Sequence, residues 1–239
     1  MQIAIVGYGK MGKRIERIAI ERGHSISLKI DSSNKGEINK IGDNQIAIEF
    51  TRPDSALDNY RKLAELKVPT VTGTTGWHEK EGEVFNSFKS SKTPFFYASN
   101  FSVGVHIFRS VNKLLAEAMN RFSDYSATID EWHHTEKKDS PSGTAITLGR
   151  DILEHNKNYR SLAPDRPARD KELPVKGHRK KDVTGKHIVK YKSEIDQITL
   201  EHQAFNRDGF ALGAVLAAEF ISQQQNGIFT MNDLIKLDE

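Results

Sequence analysis

The chain has 239 residues, 35 of them basic and 32 acidic, and no cysteine. A net charge of +3 is too small a surplus to indicate nucleic acid, and the missing thiols exclude disulfides, thiolate metal sites and a cysteine nucleophile. There is no apolar run of about 18 residues to span a bilayer, and the N-terminus lacks the basic and small-residue parts of a secretion signal. A cytoplasmic protein with no nucleic-acid or membrane partner is therefore expected.

Residues 2–6, QIAIV, are a short apolar run of the kind buried on both faces of a sheet. Gly7-Tyr8-Gly9-Lys10-Met11-Gly12 follows. Met11, Ile15, Ile18 and Ala19 then recur at helical spacing, and Gly23 can end that helix. Ile26, Leu28 and Ile30 alternate as a second strand that closes at Asp31. The alternation continues with a strand over 46–50, a helix over 55–67, a strand over 68–72 ending in Gly73-Thr74-Thr75-Gly76, and a strand over 94–99. Strands alternating with helices predict a parallel sheet.

Beyond residue 101 the pattern changes. Val105, Phe108, Val111 and Leu115 stripe a long helix over 103–119. Residues 126–134 alternate at period two, and 145–155 read as a helix. Residues 156–186 are basic, proline-containing and aperiodic, and read as a long loop. Residues 187–192 and 198–202 read as paired strands, followed by a helix striped by Leu212, Val215, Leu216 and Phe220 with Glu219 as its polar break. Thr230, with Asp233 three residues on, has the form of a helix start. The plan is an α/β protein, a nucleotide-binding domain first and an α+β domain with a mixed sheet second.

Gly7, Gly9 and Gly12 fit G-x-G-x-x-G between a strand and a helix, with Asp31 about 20 positions on at the next strand end. Gly7 permits the tight turn, Gly9 lets backbone N–H groups approach a pyrophosphate, and Gly12 allows close packing at a helix N-terminus that carries partial positive charge. Asp31 can accept hydrogen bonds from ribose hydroxyls and would repel a 2′-phosphate, with Lys35 the nearby cation. NADH is accordingly expected to serve at least as well as NADPH. Gly73-Thr74-Thr75-Gly76 closes another strand at the edge where such sheets bind ligands. Phe50-Thr51-Arg52-Pro53 lies at a similar edge, where Arg52 also reads as a solvated turn residue.

The stretch DEWHHTEKKDSPSGTA, residues 130–145, carries the chemistry. Alternation puts Glu131 and His133 on one face and Trp132 and His134 on the other. Ser142 can cap the helix that follows, and the N–H groups of Gly143 and Thr144 with the helix dipole make an anion corner. His133, His134 and Glu136 offer metal ligands, but adjacent strand histidines diverge and no H-E-x-x-H spacing occurs, so no metal is expected. A polar loop with solvated histidines is one reading. The other is an acid–base centre, in which a histidine delivers a proton and a lysine and the anion corner hold an anionic substrate.

Glu131-x-His133-His134-x-x-Lys137-x-Asp139-x-Pro141-Ser142-Gly143-Thr144-Ala145 resembles the signature of the dihydrodipicolinate reductase (4-hydroxy-tetrahydrodipicolinate reductase) family. The resemblance extends to the glycine turn, to residues 50–53, 73–76 and 98–104, and to Asn206-Arg207 through Ala214. It implies NAD(P)H-dependent reduction of a cyclic dicarboxylate, 4-hydroxy-2,3,4,5-tetrahydrodipicolinate, to tetrahydrodipicolinate in lysine and diaminopimelate biosynthesis. His133 would be the general acid and Lys137 a donor and anchor, with His134, Ser142, Gly143 and Thr144 binding substrate carboxylate. Gly7, Gly9, Lys10, Met11, Gly12, Asp31, Phe50, Gly73, Thr74, Thr75, Ala98, Ser99, Asn100 and Phe101 would contact cofactor, with Arg207 and Phe210 near it and the hinge. A Rossmann-type domain of residues 1–101 and 207–239, a substrate-binding and oligomerisation domain of 102–206, and a homotetramer are implied. The chain is shorter between Asp31 and Phe50 than longer members, by about one strand–helix element. Diaminopimelate and homoserine dehydrogenases, and a catalytically silent NAD(H) sensor, are the rivals; neither dehydrogenase is expected to carry the residue 131–145 motif.

Overall fold

A computed structural model of the chain describes residues 1–42 and 44–236. Residues 237–239, at the end of the expected first domain, lie outside the described residues. The elements in chain order are β1 (Gln2–Val6), α1 (Lys10–Glu21), β2 (Ser25–Ile30), a 3-10 turn (Lys35–Lys40), β3 (Gln45–Glu49), α2 (Pro53–Glu65), β4 (Thr70–Thr72), α3 (Glu81–Ser90), β5 (Phe95–Tyr97) and α4 (Val103–Met119). Then come β6 (Ser126–His133), α5 (Gly143–His155), β7 (Ser161–Pro164), β8 (Glu172–Arg179), β9 (Gly185–Lys192), β10 (Gln197–Ala204), α6 (Asp208–Ile221), β11 (Ile228–Phe229) and α7 (Met231–Leu234). They form two compact units: Met1–Val103 with the described residues from Asp208 on, and Gly104–Arg207.

The first unit is built on a six-stranded sheet in the order β11-β5-β4-β3-β1-β2, with every pairing parallel. Alternate residues of β1 show how it is buried. Ile3 and Ile5 join one apolar cluster with Ile15 and Ile18 of α1 and Ala214 and Val215 of α6. Ala4 and Val6 join another with Tyr60 and Leu63 of α2 and Val84 and Phe88 of α3. A continuous apolar run is what a strand covered on both faces requires. Only the 3-10 turn separates β2 from β3, and no strand lies outside β2 among the described residues. That is how the fold takes up the short segment between Asp31 and Phe50. The Thr230–Asp233 pair forms a reciprocal capping box at α7, as the sequence predicts.

The second unit is a mixed five-stranded sheet in the order β10-β9-β6-β8-β7. β10, β9 and β6 run antiparallel, while β6, β8 and β7 run parallel. Ala127 and Ile129 of β6, Leu173 and Val175 of β8 and Val189 and Tyr191 of β9 pack under Phe108 and Ala116 of α4 and Leu148 and Ile152 of α5. Strand residues two apart share a face, so Glu131 and His133 continue the row of Ala127 and Ile129 beneath the start of α5.

The expected loop over 156–186 is corrected: it contains β7 and the eight-residue β8. In β8 only Leu173 and Val175 are apolar on the inward row, which then turns to Gly177 and Arg179, too short a pattern to read as a strand.

Candidate active site

β6 carries the two centres of the second unit in register with its neighbours. Glu131 lies opposite Gly177 of β8 and His187 of β9, and His133 lies opposite Arg179. All therefore project from the helix-covered face. The Glu131 side chain is fully buried. Oε2 is hydrogen-bonded to His133 Nδ1, while Oε1 accepts from Arg179 Nη1 at 3.0 Å and from Ser142 N at 3.1 Å. Burial opposes ionisation of Glu131 most strongly, but the hydrogen bonds from His133 and Arg179, the charge of His133 and the Ser142 N–H together hold its carboxyl below the usual range. Gly177 is needed here, because a Cβ would come within 2.2 Å of Ser140 Oγ and 3.0 Å of Glu131 Oε1.

Arg179 does more than neutralise Glu131. Its Nε donates to the Lys137 carbonyl at 3.4 Å and its Nη2 to the Asp139 carbonyl. One guanidinium thus fastens the loop after β6 to the buried carboxylate, using the fixed fork that lysine lacks.

Ser142 caps α5, with its Oγ accepting from Ala145 N at 3.3 Å and meeting His187 Nε2 at 3.2 Å. Lys137 Nζ donates to both carboxylate oxygens of Asp139. That carboxyl sits below its usual range through the Lys137 hydrogen bond first, helped among others by the Gly143 N–H. The Asp139 carboxylate is thus seated between the lysine and the Gly143 N–H at the start of α5. His134 follows the end of β6, and its Nδ1 is buried without a hydrogen-bond partner. Glu136 is exposed.

His187 joins the centre although nothing in the sequence marked it beyond its alternation on β9. Its ring lies 5.2 Å from that of His133. Burial first, then the charge of His133, depresses it to about 4, so it is neutral at pH 7. Glu131, His133 and His187 place one ligand atom each within 4.8 Å of one another. The residues weighed and set aside as metal ligands from sequence, His133, His134 and Glu136, are not the ones brought together. Arg179 on Glu131 places a positive charge inside the trio that is.

In the first unit the parallel sheet sets the carboxyl ends of β1 to β5 along one edge. Gly7, Asp31, Phe50, Gly73 and Ala98 each follow one of these strands, where ligands of such sheets bind. Gly7 has φ +101°, and its Cβ would fall 2.1 Å from Phe50 O. Gly12 sits against Gly7 O, with a Cβ distance of 2.6 Å. Gly9 differs from both: a Cβ there meets nothing within 4 Å. The N-terminus of α1 behind Gly9, opening with Lys10 and Met11, has no side-chain cap and no acidic residue in its first turn. Tyr8 does not fill the space, because its hydroxyl donates to Glu16 and Lys29 lies over its ring. An open cradle with an uncapped helix start fits a dinucleotide pyrophosphate.

Other expected cofactor contacts divide. Asp31 is exposed and accepts from Ser33 N at 2.8 Å and Ser33 Oγ at 2.6 Å, so it also closes a local turn. Thr75 and Ser99 are exposed, and Asn100 is half-buried. Phe101 is buried in the core against the Phe50 ring, with its carbonyl oxygen packed close to Gly213 of α6. Thr74 turns inward, donating to Glu49 at 2.8 Å and accepting from Thr51 N at 2.8 Å. Arg52 pairs with Asp54 in solvent. Phe210 lies in α6 against the first unit's core, and Arg207 ends the second unit.

Glu49 is a buried residue the sequence reading missed. It accepts from Thr51, from Thr72 at 2.6 Å and from Thr74, with Tyr60 at 3.3 Å. It ties the turn after β3 to the turn after β4. Its one sequence signal is a carboxylate ending an otherwise apolar strand, QIAIE.

The family model described as dihydrodipicolinate reductase, N-terminus, matches residues 1–101, and that described as dihydrodipicolinate reductase, C-terminus, matches residues 104–235. A 4-hydroxy-tetrahydrodipicolinate reductase of Christiangramia forsetii is 42% identical over 98% of this chain and 98% of its own length. One from Staphylococcus haemolyticus is 33% identical over 98% of this chain and all of its own length. A dipicolinate-bound dihydrodipicolinate reductase from Paenisporosarcina sp. TG-14 shares the fold with a TM-score of 0.78, at 19% identity over 98% of this chain and 99% of that one. The glycine turn, the residue 131–145 motif and these matches over both halves agree, and the chain belongs to the dihydrodipicolinate reductase family.

Proposed function

We propose that the chain reduces 4-hydroxy-2,3,4,5-tetrahydrodipicolinate, or its dehydrated form, to tetrahydrodipicolinate in lysine and diaminopimelate biosynthesis. Family membership makes it an oxidoreductase using a nicotinamide dinucleotide. The observation that carries the substrate class is the Asp139 carboxylate held between Lys137 and the start of α5, on the loop that follows His133. That position accepts a carboxylate, and the relative from Paenisporosarcina is named with dipicolinate, a cyclic dicarboxylate, bound.

The residues divide the work as follows. Gly9 and the N-terminus of α1 hold the pyrophosphate, Asp31 the adenine ribose, and the turns after β3, β4 and β5 the nicotinamide end. On the dehydrated form, from which the 4-hydroxyl has already left as water, a reduced nicotinamide held there would supply hydride to the ring carbon beta to the imine. Lys137, His134, Ser142, Gly143 and Thr144 hold substrate carboxylate and stabilise charge. His133 gives its proton to the adjacent carbon of the enamine-like anion, which completes the reduction. Asp31 favours NADH, which serves at least as well as NADPH in this reading. The enzyme works in the cytoplasm as a homotetramer built through the sheet of the second unit.

The test is loss of NADH absorbance with substrate made in place from pyruvate and aspartate semialdehyde by the synthase that condenses them. Oxidation that requires the synthase supports the reading. A folded, cofactor-binding protein that oxidises neither NADH nor NADPH in that mixture refutes it.

A further inference from the structure

We infer that Glu131, anchored by Arg179 and the Ser142 N–H, is the positioning residue that fixes the His133 ring, accepting a hydrogen bond from Nδ1–H and leaving Nε2 as the atom that serves the substrate. The inference rests on the reading of His133 as the proton donor.

Three observations carry it. Glu131 is fully buried with three donors around it, and a carboxylate is the side chain that can accept from all three at once. With Arg179 and Ser142 N on Oε1, Oε2 is left to His133, so Nδ1 must carry a proton. Nε2 then lies at the other edge of the ring, toward Gly185 of β9, where an added Cβ would fall 3.1 Å from Nε2 and 3.5 Å from Cδ2. The glycine keeps that edge open. A carboxylate on one imidazole nitrogen setting the role of the other is how histidine acids are oriented generally. The charged and titratable groups around His133 are Glu131 on its own strand, Arg179 on β8 and His187 on β9, with Lys137 of the following loop acting on His187. None but Glu131 offers an anion to Nδ1 among the described contacts.

Glu131→Gln tests this with near-constant volume. An amide has one acceptor oxygen for three donors, so its NH2 must face one of them. The expected result is a fall in kcat of about 10²–10³-fold, with dissociation of pyridine-2,6-dicarboxylate changed less than about threefold. Glu131→Asp, which keeps the charge, should recover at least about tenfold of the loss. A Glu131→Gln enzyme with kcat within about threefold of wild type overturns the inference, as does a loss that falls equally on dicarboxylate binding. His133→Gln separates the two ideas. Wild-type turnover there refutes the proton-donor reading itself, whereas a slow His133→Gln enzyme beside a fast Glu131→Gln one refutes only the role of Glu131. Should Glu131→Gln fail to fold, imidazole 15N spectra of the wild-type protein decide. Neutral His133, assigned by its absence in His133→Gln, should carry its proton on Nδ1, and an Nε2–H tautomer contradicts the inference.

Discussion

Lys137 grips Asp139 through both carboxylate oxygens, at 2.7 and 2.9 Å, two residues away on the same loop. The ammonium proposed to anchor substrate is thus already engaged by an internal carboxylate. Asp139 is exposed, and exposed pairs are worth about 0.2–1 kcal/mol. Releasing the lysine with Asp139→Asn should tighten pyridine-2,6-dicarboxylate by up to about fivefold, measured by calorimetry with cofactor present. Weaker binding would mean that Asp139 helps hold the ligand rather than competing with it.

His133 and Lys137 should separate kinetically. His133→Gln removes the proton donor, so kcat should fall by about two to four orders of magnitude with KM little changed. Lys137→Ala removes an anchor as well as a donor, so kcat should fall and KM rise together. Steady-state kinetics of both variants check the assignment, and wild-type constants in either would remove that residue from its role.

Gly9 offers a clean test of the cofactor cradle, because an added methyl meets nothing within 4 Å there while Gly12 and Gly73 have no such room. Gly9→Ala should keep the wild-type melting temperature and weaken NADH binding by at least about tenfold, a loss of about 1.4 kcal/mol. Fluorescence titration beside thermal melting measures both. Unchanged affinity would put the pyrophosphate elsewhere.

His187 links the site to acid stability. Its folded value near 4 lies below the ordinary 6.5, so the unfolded chain binds the extra proton between the two. The neutral histidine therefore contributes stability above pH 6.5 that is lost as pH falls, about 3 kcal/mol by pH 4 and roughly 2 of it by pH 5. Glu131, held below its usual range, adds a loss of the same sign in more acidic solution. Urea unfolding at pH 7 and pH 5 should show a lower midpoint at pH 5, and His187→Gln should flatten that difference. An equal difference in the variant would assign the pH dependence to other groups.

What could be read ahead of the structure was whatever repeats locally. The run QIAIV, the glycine turn and Asp31 mark the first βαβ unit because turn chemistry and apolar spacing coincide there. Period two in residues 126–134 was enough to put Glu131 and His133 on one face. The partners of that face were not legible. Arg179 and Gly177 come from β8, whose inward row loses its apolar character halfway, and His187 reaches the centre only through strand register. α3 escaped because Val84 and Phe88 are its only buried residues. Glu49 escaped because a single carboxylate at a strand end has no periodicity, and its threonine donors come from the end of β4 and from two different turns.

The most direct measurement uses NADH deuterated at both C4 positions, with substrate generated in place, and weighs the product by mass spectrometry. The account predicts a tetrahydrodipicolinate carrying one deuterium from the cofactor, formed by the wild-type protein and strongly slowed in His133→Gln. A product without deuterium, or no product from a protein that binds both ligands, would contradict it.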